Sequence, residues 1–399
     1  MTRNPLRKPV QGLSLIEVMI ALAIGSLLLI GLIQVFAASR TSSQLAQGMA
    51  RSQENARFAI EFLQRDLRMA GHFGCINDTS HVQAVGGMVN MFPTASGATW
   101  GIDFPRSAVG AVAESGASIR GYDATNTTPG QTLTLGAPAA GWTPGLPAAI
   151  AALAPLPGSD VIELRFLSHE GVLVSSIVNP TAAQTLITIP AAQWDTLTEN
   201  GVASPTMFGL TDCSYADVFP AAAVNAAAGT VLVNQFISRH TSAPAGQATL
   251  YRAESMVYYI ANGASGLPAL WRARSNSTGS YIGANSVREE LVEGIENMQL
   301  LFGLDATPNL TLAPPTGFMA VQQPPSAVAN TPANWRRVGL VQVGLLARSP
   351  GYAALTRQAE AGNEQRSLGV IFAPPAVNDG VFRTSYETTV ALRNRLYGN

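Results

Sequence analysis

The sequence predicts an α+β protein. A long N-terminal helix, apolar in its first half and amphipathic in its second, packs on a strand-rich C-terminal head of mainly antiparallel sheets. Three observations predict it. Residues 13–38 form an almost unbroken apolar block, residues 40–70 keep helical periodicity without a proline, and the chain after Cys75 alternates between strand-like runs and long loops. Composition narrows the function. Only 12% of the 399 residues are charged, about half the roughly 25% usual for soluble domains. The formal charge of −1 gives no basic surface for nucleic acid, and 47% hydrophobic content is enough to bury a core. Two cysteines cannot build a disulfide-dense scaffold or a four-thiolate zinc site.

Residues 1–12 carry Arg3, Arg7 and Lys8 and no acid, and residues 18–33 carry no charge at all. As a helix the block 13–38 would be roughly 39 Å long, enough to cross a hydrocarbon core of about 30 Å. The basic flank keeps the first twelve residues cytoplasmic and sends the rest across. Three readings compete for this segment. A secretory signal would use the small residues around Val35-Phe36-Ala37-Ala38 for cleavage, and a plain anchor would not be cleaved. Neither gains from Glu17, whose ionised carboxylate costs a few kcal/mol in a membrane helix unless paired. In the third reading the chain is cut after Gly12, so that Leu13 presents a free α-amine four positions before Glu17, in the same chain or on a neighbour.

The helical pattern continues to a stop at Gly71 and Gly74. Leu45, Met49, Ala56, Ile60, Leu63 and Leu67 make an apolar stripe, and Arg51, Glu54, Arg57, Glu61, Gln64, Arg65 and Arg68 take much of the rest. Gly25, Gly31 and Gly48 are places where it could bend. Strands are expected at 159–168, 171–178, 185–189, 229–237, 255–261, 270–274, 297–304, 337–348, 367–372 and 381–392, the last preceded by the tight-turn signal Asn378-Asp379-Gly380. Long loops are expected near 84–158 and 308–334. The organisation is therefore a basic leader at 1–12, an apolar half-helix at 13–38 suited to a membrane or to a bundle of like helices, an amphipathic half at 39–74, and a head at 75–399.

Gly12-Leu13-Ser14-Leu15-Ile16-Glu17-Val18 resembles the leader junction of class III prepilins, the family of type IV pilins and pseudopilins, with Leu13 in place of the commoner Phe. The resemblance implies cleavage between Gly12 and Leu13 by prepilin peptidase, methylation of the new N-terminus, and a role in assembly for Glu17. Arg57-Phe58 through Gly71, Phe73-Gly74-Cys75, Asp212-Cys213-Ser214 with Ala216-Asp217-Val218-Phe219, Val257-Tyr258-Tyr259-Ile260, Leu291-Val292-Glu293-Gly294 and Thr388-Thr389-Val390-Ala391-Leu392 are similar to PilW-type minor pilins. Their order also resembles the J-type minor pseudopilin of type II secretion. A periplasmic enzyme or binding protein with a conventional signal is the alternative from another class.

The resemblance implies an inner-membrane protein with its head in the periplasm, later part of the pilus at the cell surface and of its work in adhesion and twitching motility. Its partners would be the peptidase, other minor pilins and the major pilin. Outside the cytoplasm a disulfide between Cys75 and Cys213 is favoured over two free thiols, and its loop of about 139 residues would stabilise by about 4–5 kcal/mol in the chain-entropy model. No catalytic residue, metal site or cofactor is expected. His72, His81, His169 and His240 lack metal-ligand spacing, His72 near Cys75 is a weak thiol–base pair, and Glu289, Glu290, Glu293 and Glu296 fall at helix-like spacing and suit a solvated face. Arg393 and Arg395 suit the solvated edge of a strand. The mature chain would hold 21 basic against 25 acidic side chains, which gives no support for direct nucleic-acid binding.

Overall fold

The computed structural model describes residues 14–77, 91–93, 118–243, 246–308, 315–352, 364–373, 375 and 379–394. The helix α1 (Leu15–Met69) is followed by the short strands β1 (His72–Phe73), β2 (Ile76–Asn77) and β3 (Met91–Pro93). The head continues through β4 (Ile119–Ala124), β5 (Thr132–Thr134), β6 (Trp142–Thr143), α2 (Ala148–Ala151) and the long β7 (Val161–Leu173). Next come β8 (Ser176–Thr181), β9 (Gln184–Thr188), β10 (Met207–Thr211), β11 (Ala216–Pro220), β12 (Ala223–Asn225) and β13 (Thr230–Val233). Then follow β14 (Thr249–Asn262), β15 (Pro268–Arg274), β16 (Val287–Glu293), β17 (Ile295–Asp305), β18 (Met319–Gln323) and α3 (Pro332–Arg336). The chain closes with β19 (Val338–Tyr352), β20 (Gln365–Ser367), β21 (Val370–Ala373) and β22 (Val381–Ala391).

Helix α1 runs without a break through Gly25, Gly31 and Gly48. Its start is a capping box: the Ser14 hydroxyl accepts from the Glu17 N–H at 3.3 Å, and the Glu17 carboxylate accepts from the Ser14 N–H at 3.0 Å. Its end is set by Ala70, whose N–H turns back to the Leu67 carbonyl, and by Gly71 at φ +77°. Gly74 is required on two counts. Its φ is +73°, and a Cβ there would lie 2.4 Å from Thr211 Cγ2.

Two sheets receive the second half of α1. One has the order β3-β11-β10-β14-β7-β4-β6, with β15 and β16 extending from the other end of β14, and the second has the order β18-β17-β19-β22. Pairing is antiparallel except for β3 with β11 and β5 with β21. The helix positions that disappear are Gly48, Ser52, Ala56, Ala59, Leu63, Asp66 and Leu67. This stripe is rotated from the expected one: Met49 is exposed and Leu45 and Ile60 are half-buried. Small residues let the helix axis approach β19 and β22 closely, and a search for large apolar side chains does not see them. Ala56, Ala59, Leu63 and Leu67 then share one core with Tyr258, Ile260, Leu270, Met298, Val341 and Leu345. A second core, around Ile187, Phe208, Phe219, Val231 and Leu250, lies by the four-stranded sheet β12-β13-β9-β8.

Strands appear at every expected position. The two expected loops are more structured than composition suggested. The described part of 84–158 contains β4, β5, β6 and α2, and the described part of 308–334 contains β18, a 3₁₀ turn at Pro325–Ala327 and the start of α3. These short strands add to edges laid by distant long ones, as β4 does on β7, so local sequence carries little of the signal. Pro325 and Pro332 stand in the first turn of their helices, where a missing N–H costs nothing.

Candidate functional site

From Leu15 to Ile33 no residue of the first half of α1 is buried among the described residues. Leu15, Leu22, Leu28 and Ile33 are all exposed, and none of the most apolar 18-residue window is buried. This half is long and apolar enough to cross a membrane. Glu17 is the only acid in its first turn; one carboxylate oxygen is engaged by Ser14 N–H, leaving the other without a partner among the described residues. Gly12 and Leu13 lie outside the described residues.

At the far end of α1, Cys75 and Cys213 form a disulfide with Cα atoms 4.8 Å apart, closing a separation of 138 residues. It fastens the turn after α1 to the β10–β11 hairpin. The hairpin side is itself braced. Asp212 accepts from the Ser214 and Tyr215 N–H groups at 2.7 Å each, and His240 lies between Asp212 (2.9 Å) and Asp217 (2.8 Å), with Arg239 3.0 Å from Asp217. Burial opposes ionisation of Asp212, but the two N–H groups and His240 outweigh it and lower its pKa. His72 is structural as well: its Nδ1 is 3.0 Å from the Leu167 carbonyl, and burial lowers its pKa. With Cys75 bonded to Cys213 there is no thiol for His72 to activate. His81 and Arg395 lie outside the described residues. Among the described residues no group of three or more His, Cys, Asp and Glu could hold a metal ion.

A third arrangement was not anticipated. Asp66, buried on α1, accepts from Tyr258 OH at 2.5 Å and from Arg272 Nη1 at 2.8 Å. Arg272 and Arg274 share Glu289, at 2.7 and 3.1 Å; Arg274 Nε lies 3.5 Å from Glu254, which binds Arg252 at 2.6 Å. Glu163 and Arg165 form a further buried pair at 2.6 Å. The acidic group read as a helix-like solvated face is therefore corrected. Glu289, Glu290 and Glu293 belong to β16 and Glu296 to β17. Glu289 serves the seam just described, and Glu296 holds Arg383 at 2.5 Å. The missed signal is a pair of charges at i, i+2 inside an apolar strand: Glu163/Arg165, Arg252/Glu254 and Arg272/Arg274. Such a pair puts both charges on one face of a strand, and burial then demands partners.

A membrane-length helix enters a disulfide-bonded, strand-rich head without interruption, as the resemblance to class III prepilins leads one to expect. Residues 7–33 match the family model of the prokaryotic N-terminal methylation motif, and residues 257–394 match that of type IV pilus-assembly protein W. No curated protein and no solved structure matches. The two matches cover the leader junction with the first turns of α1, and the head from mid-β14 to the end of β22. They bear out the similarity to PilW-type minor pilins and support the role of a type IV pilus minor pilin. They point to a structural component rather than an enzyme, and are consistent with membrane anchoring and a place in the pilus.

Proposed function

We propose that the chain is a minor prepilin, cut between Gly12 and Leu13 by prepilin peptidase and methylated there, that takes part in assembling or priming a type IV pilus. The observation that carries this reading is the division of α1. One unbroken helix leaves its apolar half exposed among the described residues and buries one face of its other half in the head. An apolar surface of that extent needs lipid or like helices. Before assembly the inner membrane supplies the first, with the head in the periplasm; in the filament, other minor pilins and the major pilin supply the second. Glu17 then meets the N-terminal amine of a neighbour, an ion pair whose strength grows as water is excluded. The family description names pilus assembly, which favours a pilus over a secretion pseudopilus.

Glu17→Ala tests the reading in cells. The expected outcome is a chain that is still cleaved, remains in the membrane fraction and is absent from sheared filaments, with piliation and twitching reduced. Normal incorporation and normal twitching in that variant would overturn the pairing role.

A further inference from the structure

Asp123 on β4 and Asp160, one residue before β7, are buried and hydrogen-bonded to each other. Asp160 also accepts from the Ala124 and Leu300 N–H groups, at 2.8 and 2.9 Å. Asp123 accepts from the hydroxyls of Thr127, at 3.2 Å, and of Ser326. The pair thus joins β4, the start of β7, β17 and the 3₁₀ turn at Pro325–Ala327. Neither carboxyl forms an ion pair among the described residues. β7 brings Glu163 and Arg165, which hold each other, and β4 itself brings Arg120, bonded to Asn330 at 2.5 Å. From β17 come the neutral Asn297 and Gln299, both bonded to the Gly158 carbonyl, and from β6 the neutral Thr143 opposite Asp123. α3 packs against β4 and brings the buried Arg336, which makes no ion pair with either carboxyl. Two carboxylates in contact away from water do not both ionise without a large cost, so the pair keeps one proton between them.

Residues 325–336 run from that turn through α3 and lie against β4 at both ends. Pro325 packs on Gly121, where a Cβ would fall 3.1 Å from Pro325 Cγ and 2.5 Å from the Phe302 ring. Trp335 is buried edge-on to Phe302, with ring centroids 5.1 Å apart. Ser326 on Asp123 and Asn330 on Arg120 add the polar ties.

We propose that 325–336 is a pH-sensitive strap, closed while Asp123 and Asp160 share one proton and opening at its Ser326 end when that proton leaves to solvent and both carboxylates are charged. Asp123 is the side chain that turns away, because Asp160 is fixed by two backbone N–H groups whereas the other partners of Asp123 are hydroxyls. Opening brings water to the contact of Pro325 with Gly121 and Phe302. Burial raises the pKa of both groups. The closed form is therefore favoured at low pH and is lost as pH rises through the folded values. The strap is independent of the assembly reading above.

The test is hydrogen exchange read by mass spectrometry on the full chain in detergent, from about pH 4 to about pH 9. Exchange is expressed as protection factors, so that its intrinsic pH dependence cancels. Peptides from 325–336 are expected to lose at least about tenfold in protection across the series, while those of β14 keep theirs. Asp123→Asn leaves one ionisable carboxyl and an amide that donates to it, and is expected to keep the strap protected at every pH. Ser326→Ala, a change in the turn alone, is expected to lower protection at the acidic end and to remove the dependence on pH. Constant protection of 325–336 in the unchanged chain, an equal loss in β14, or an unaltered pH dependence in Asp123→Asn or Ser326→Ala would overturn the strap.

Discussion

Asp66 sits within the last turn of α1 with its carboxylate between Tyr258 and Arg272. Removing Asp66 leaves the buried Tyr258 hydroxyl and Arg272 Nη1 without their acceptor, while Glu289 still holds the Arg272 charge, at a cost of about 1–3 kcal/mol. Asp66→Ala is therefore expected to lower the unfolding free energy by that amount, seen as a lower denaturant midpoint at unchanged slope; a loss below about 0.5 kcal/mol would show that helix and head do not depend on the pair. Two other sites set opposite responses to pH. Burial opposes ionisation of Asp305, but the N–H groups of Thr307, Thr316 and Gly317 outweigh it and lower its pKa. That stabilisation is present above the unfolded value, near 3.8, and is lost as pH falls through the lower folded value. Asp160 and Asp123 go the other way, because burial raises both. Their contribution is present below the unfolded value and is lost as pH rises through the folded one. Asp123→Asn should therefore become progressively less harmful as pH rises above the unfolded value near 3.8, measured by urea unfolding over a pH series; a pH-independent effect would contradict it. Asp66 and Asp160 were not legible in the sequence, because their partners Tyr258, Arg272 and Leu300 are distant along the chain. Glu17 and Cys75 were legible because their neighbours in sequence mark them.

The elements differ in how much the sequence announces them. The helix was readable from Leu15 to Met69 because 3.6-residue periodicity and the absence of proline are local properties. Its buried stripe was readable only in part, since Ser52, Ala56 and Ala59 disappear through small size. Ala59 is fully buried, so Ala59→Leu is expected to cost about 1–3 kcal/mol by overpacking; thermal unfolding checks it, and a neutral result would contradict the close approach. The long strands β7, β14, β17, β19 and β22 were expected because each spans a strand-like run, alternating in β7 and announced in β22 by the turn Asn378-Asp379-Gly380. The short edge strands β5, β6 and β18 were not, because they depend on a partner strand for their existence. At the turn after α1 the disulfide does the fastening. Reducing it, or replacing both Cys75 and Cys213 by Ser, should cost about 4–5 kcal/mol in the chain-entropy model. A reduced protein with the same denaturant midpoint would contradict that role.

At the scale of the whole molecule, low charge content and charge burial belong together. Only 12% of residues are charged, and Asp66, Glu163, Arg165, Arg252, Glu254 and Arg272 are among those that are buried. The surface is therefore poorer in charge than the composition alone implies, as suits a subunit that packs among others. Its single lysine, Lys8, lies in the proposed leader, so the proposed processing would leave a chain whose basic side chains are all arginine or histidine. The proposed cleavage at Gly12-Leu13 is where these features converge, and the mass of the N-terminal peptide from protein isolated out of membranes and sheared filaments tests the central claim most directly. The account predicts a peptide beginning at Leu13 and heavier by one methyl group. A mature chain beginning near Ala38, or one that keeps residues 1–12, would contradict it.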